Sequence, residues 1–176
     1  MEKFLGFIFG VVVSGLLFGS VVLAGMKKSK TDGSVFAKYD ERQQLVRGKG
    51  WKYGFFTIVA ADAIYAVLVD ILGFVPCHSV VSATASIILG VMVYCVYCIM
   101  HDGYYGLNEN RRICNMIFLF IGLANLGIGT MNVIHGEMIV EGQISLKATN
   151  LLCAVLMFVI LGASIIKEAF EKKEES

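Results

Sequence analysis

"YGFFTIVAADAIYAVLVDILGF", residues 53–74, decides the fold, and its only charged side chains are Asp62 and Asp70. A bilayer's hydrocarbon core of about 30 Å takes roughly 20 apolar residues to cross as a helix, which is the length of this run. No alternation of apolar and polar residues marks it as a barrel strand, and lipid offers no partner to open backbone amides. The stretch is therefore expected to be a transmembrane helix.

Four further runs of this kind flank it, at residues 4–26, 80–100, 113–134 and 148–166. The chain is 57% hydrophobic and 16% charged, with mean hydropathy +0.73 and one proline, a composition foreign to soluble domains. An all-α fold is expected: a single integral membrane domain over residues 1–176, built as a bundle of five transmembrane helices. A polar loop (27–52), a tight turn around Pro76, loops at 101–112 and 135–147 and a tail at 167–176 connect and end the spans.

Orientation follows from the cations. Lys27, Lys28, Lys30, Lys38, Arg42, Arg47, Lys49 and Lys52 lie in the first loop, Arg111 and Arg112 in the third, and Lys167, Lys172 and Lys173 in the tail. The opposite side holds Lys3 and Lys147. The positive-inside rule then puts the N-terminus of this multi-pass membrane protein outside and its C-terminus in the cytoplasm. The bilayer is one partner, and anionic headgroups are another, attracted to the basic face by about 1 kcal/mol per cation.

The polar segment that runs into this span is "YDERQQLVRGKGWKYGFF", residues 39–56. Asp40 is placed to cap a short helix with Gln43 in the box position, and Glu41 suits the positive end of the helix dipole. Arg47, Lys49 and Lys52 meet headgroups, and Trp51 suits the aromatic belt. The same set, Asp40, Glu41, Arg42, Arg47, Lys49, Trp51 and Lys52, is the candidate docking surface for a lipid or a membrane or cytoplasmic protein. "RGKG" lacks the spacing of a phosphate loop.

"DERQQLVRGKGWKYGFF" (40–56) together with "YCIMHDGYYGLNENRR" (97–112) resembles a group of small, uncharacterised membrane proteins of Gram-positive, often anaerobic, bacteria. In that group a "DERQ...RGKA.KY.FF" motif and a "KDAY...LNEN" loop recur, and here His101 and Gly103 replace the Lys and Ala of the second motif. The likeness covers about a quarter of the chain. It implies a bacterial cytoplasmic membrane and no particular activity; both motifs fall on the cytoplasmic side of the five-span arrangement read from the cations.

Asp62 lies about 13 Å beyond Tyr53 along a helix, near the bilayer midplane, where an ionised Asp costs roughly 2.5–3.5 kcal/mol. Asp70 follows about 80° further round. With Asn125 they form a candidate proton or ion relay; the structural alternative is that Asp62 hydrogen-bonds Asn125, Tyr94 or a hydroxyl and holds helices together. Cys95, Cys98 and His101 share a helical face, with Cys114 on the next span, and are weak candidates for a metal site. No nucleophile elbow or metalloprotease spacing is present, so no enzyme is expected, and neither a cofactor nor nucleic acid.

Small residues at four-residue steps, Gly6, Gly10 and Ser14 in the first span and Ser82, Ser86 and Gly90 in the third, are expected contact faces. The leading expectation is a non-enzymatic accessory or regulatory membrane protein that binds a partner through its basic cytoplasmic face. A small transporter or ion-coupled permease using Asp62 is the alternative, and a thiol or metal-binding membrane protein the third.

Overall fold

The computed structural model describes residues 30–32 and 36–174; the first span, with Gly6, Gly10 and Ser14, lies outside the described residues, as do Lys27, Lys28 and the end of the tail. Asp40 opens helix α1 (Glu41–Ala66) with the expected capping box: its carboxylate accepts from the Gln43 amide at 2.7 Å. Nothing between Asp40 and Tyr53 breaks the helix, so the second span starts a dozen or so residues earlier than its apolar run, as about three extra turns. A π-helical turn, Val67–Ile71, ends it.

Helix α2 (Ser79–Met100) begins after Pro76, capped by His78. Asn110 caps α3 (Arg111–Ile134), its side-chain oxygen accepting from the amides of Arg112 and Ile113. A 3-10 turn (Leu146–Ala148) leads into α4 (Thr149–Glu174), which carries the charged tail on as helix. The four elements are long and apolar enough to cross a membrane, which marks a membrane-embedded all-α protein.

The helices pack in the order α1, α2, α4, α3. Along α2 the expected small-residue face is buried, from Ser82 and Ser86 through Gly90 to Tyr94 and Cys98. Its closest approach is to α1: a Cβ on Gly54 would stand 2.8 Å from the Gly90 carbonyl oxygen, and one on Gly90 2.7 Å from that of Gly54. The buried core lies toward the basic end, where Tyr94, Cys95, Cys98 and Ile99 of α2 meet Cys114 of α3 and Leu156, Ile160 and Ala163 of α4. Phe120, Ile71 and Ile134 are about three-quarters exposed, at 75%, 74% and 72%. Lipid, not water, is the solvent that tolerates so much apolar surface.

At the opposite end the 135–147 loop holds a hairpin absent from the sequence reading, β1 (Ile139–Val140) with β2 (Gln143–Ile144). Its two-residue turn needs positive φ at both positions, and Glu141 (51°) and Gly142 (78°) supply it. Lys147 pairs with Glu137 at 2.6 Å and holds that exposed carboxyl below its ordinary range. The Ile144 amide donates to the Pro76 carbonyl, so the hairpin covers Cys77, which is buried rather than open in its loop.

Candidate interaction surface at the basic end

The two motifs of the sequence, 39–56 and 97–112, are one structure. Gln43 is buried beneath the cap of α1, and its side-chain nitrogen donates to the carbonyls of Asp102 (3.0 Å) and Tyr105 (3.1 Å) in the loop between α2 and α3. Asn108 of that loop, also buried, reaches back: its side-chain nitrogen donates to Asp32 and the Phe36 carbonyl, and its oxygen accepts from the Lys38 amide at 2.9 Å. The Leu107 amide donates to the Lys38 carbonyl, the Thr31 amide to that of Asn108, and Lys30 pairs with Glu109. Gly103 and Gly106 fit because Val46 at the first, and the Ala37 side chain with the Lys38 backbone at the second, leave no room for a Cβ.

A charge chain ties this cap to the helices. Asp102 accepts from Arg42 (3.4 Å) and Lys167 (3.1 Å), and Glu171 pairs with Arg111 at 3.1 Å. Under it, the Tyr105 hydroxyl donates to Asn115 at 2.6 Å and lies 3.0 Å from Ser164, which accepts from the Asn115 amide nitrogen. Burial pushes the Tyr104 and Tyr105 hydroxyls above the ordinary phenol range, so both stay protonated and neither is a base at neutral pH.

The expected docking set divides accordingly. Asp40 is spent on capping and Arg42 on Asp102; Arg47 lies 4.0 Å over the Tyr39 ring and the Trp51 ring packs, tilted by 32°, 4.7 Å from that of Tyr94. Glu41, Lys49 and Lys52 stay exposed on α1, with Arg112 on α3, and form no ion pair among the described residues. Gln43 and Asn108 are the residues the sequence reading missed. Gln43 is visible as a box partner, but nothing local marks the two acceptors of its side-chain nitrogen, which are distant in sequence.

The relay set is not assembled. Asn125 donates to the Ile121 carbonyl of its own helix, and Tyr94 faces Gly50, Gly54 and Trp51 of α1. Asp62 and Asp70 are exposed on α1 with no partner among the described residues, so neither holds these helices together. The π turn does change their relation. An α turn takes 3.6 residues and an i→i+5 turn about one more, so one of each nearly spans the step from Asp62 to Asp70 and brings them close to one face, rather than 80° apart.

The thiol set also comes apart. Cys95, Cys98 and Cys114 are buried in the core, whereas His101 is exposed, stacked on Tyr97 and bonded to its carbonyl. Among the described residues no three metal-ligating side chains gather. Compared with known protein families, curated proteins and solved structures, the chain matches none.

Proposed function

We propose that the protein is a non-enzymatic component of a bacterial cytoplasmic membrane, with five spans, the N-terminus outside and the basic cap in the cytoplasm, and that it docks a partner protein on that cap. The observation that carries this reading is the interlock of residues 36–43 with 102–109 through the buried side chains of Gln43 and Asn108. Membrane insertion requires only that loops stay hydrated. A loop pair held by buried hydrogen bonds fixes Glu41, Lys49, Lys52 and Arg112 in space, and preorganised charge lowers the cost of binding. In the native membrane, a tagged parent chain is expected to co-purify with a stoichiometric partner, and Lys49→Glu with Lys52→Glu to reduce its yield about tenfold or more. A partner-free parent chain would sink the reading.

A second reading, a small ion-coupled transporter, is favoured by one observation: the π turn that aligns Asp62 with Asp70 on an uncovered face. It requires Asp62→Asn to abolish flux in vesicles while partner yield stays at the parent level. The accessory reading requires Asp62→Asn to behave as the parent chain and the loss to come from Lys49→Glu with Lys52→Glu.

A further inference from the structure

We propose that α1 carries a site for one anionic phospholipid of the inner leaflet, its phosphate on Arg47 and an acyl chain along Trp51, Phe55 and Val59. The inference rests on the membrane reading above. Arg47 is half-buried, with its guanidinium 4.0 Å over the ring of Tyr39 and 5.8 Å over that of Tyr94. Ring faces hold a guanidinium in place without using its N–H donors. Arg42 and Arg111 each donate to a carboxylate, but Arg47 has no acceptor among the described residues. A preplaced guanidinium with open donors is built for a phosphate or carboxylate oxygen.

The surface next to it selects the source. Residues four apart are neighbours on a helix, each step turning about 40° further round, so a row of them slants across the surface. From Arg47 that step leads to Trp51, Phe55 and Val59, which are 60%, 60% and 48% exposed. The order is a cation, an amphipathic ring and then two apolar side chains going deeper, and it matches the order of headgroup, interface and acyl chain in a lipid. Free phosphate would have no use for the apolar part. Depth agrees, because Gly50 packs on Cys98 and Val46 on Gly103, which puts Arg47 level with the end of α2. The two halves of the motif then separate: Lys49 and Lys52 face a protein partner, and Arg47 faces lipid.

Trp51 is the chain's only tryptophan and reports on the site directly. The full chain in phosphatidylcholine nanodiscs would be titrated with phosphatidylglycerol brominated on its acyl chains. Saturable quenching of Trp51 at low mole fraction is expected, with half-saturation moved about tenfold upward by Arg47→Gln, as for loss of a charged hydrogen bond. Lys49→Gln should leave the curve in place, and Arg47→Lys should fall between. Equal curves for Arg47→Gln and parent, or an equal shift from Lys49→Gln, would overturn the site in favour of diffuse attraction. Full competition by glycerol phosphate would overturn the lipid assignment and leave a bare phosphate site. Absence of any quenching, even by brominated phosphatidylcholine, would instead remove the membrane reading on which the proposal rests.

Discussion

Gly54→Leu is expected to separate α1 from α2 and to cost about 3 kcal/mol or more, enough to lower the cooperative unfolding transition in detergent by many degrees. The reason is backbone against backbone: the new Cβ would lie 2.8 Å from the Gly90 carbonyl oxygen, which no rotamer change can move aside. Small residues are what allow two helices to approach this closely in lipid, where apolar surfaces gain nothing by meeting each other. Gly48→Ala supplies the contrast, since no atom lies within 4 Å of its Cβ. Alanine there is expected to leave stability unchanged or raise it by up to about 1 kcal/mol through helix propensity. Circular dichroism during heating reads both variants, and a Gly54→Leu chain that unfolds with the parent would show that α1 does not pack here.

Asn108→Ala is expected to open the cap at a cost of about 2–3 kcal/mol. Truncation strips the Lys38 amide of its side-chain acceptor and removes the Asn108 bond to the Phe36 carbonyl in a loop where Asn108 itself is 6% exposed. The effect is local, because the helices keep their own ladders and the α2–α4 core. Amide hydrogen exchange over residues 36–44 and 103–109 should therefore speed up by about tenfold or more while the centres of α2 and α4 stay protected. Asn125→Ala, which removes a bond confined to its own helix, should leave those loops at the parent rate. Unchanged exchange in Asn108→Ala would mean that the loops are held by something other than this residue.

The two variants also separate what the sequence makes legible from what it hides. The long helices follow from apolar run length, a property of each segment alone, and the small-residue face of α2 follows from spacing within one helix. The capping box at Asp40 is local in the same way. The interlock is not, because Gln43 reaches Asp102 and Tyr105, and Asn108 reaches Lys38, across some sixty to seventy residues of chain. Two motifs that look like separate surface features are each other's binding partners, which is why several residues expected to dock a partner turn out to be occupied.

The π turn illustrates the same limit. Nothing in "VLVDI" distinguishes an i→i+5 turn from an ordinary one, yet that one extra residue rotates Asp70 into line with Asp62. The hairpin at 139–144 was hidden because Glu-Gly is a weaker turn signal than Asn-Gly or Asp-Gly. At the hairpin a tertiary contact, from the Ile144 amide to the Pro76 carbonyl, supports a conformation that local propensity leaves open.

The proposed function requires the bundle to cross the membrane with the interlocked cap in the cytoplasm and the hairpin outside. Glu41 and Glu141 are exposed markers of the two ends. Each would be changed to cysteine in a chain whose native cysteines are replaced, and labelled in intact spheroplasts with a membrane-impermeant maleimide. Labelling of Glu141→Cys in intact cells, with Glu41→Cys reached only after permeabilisation, is the predicted result. Labelling of both from the same side, or of Glu41→Cys from outside, would contradict it.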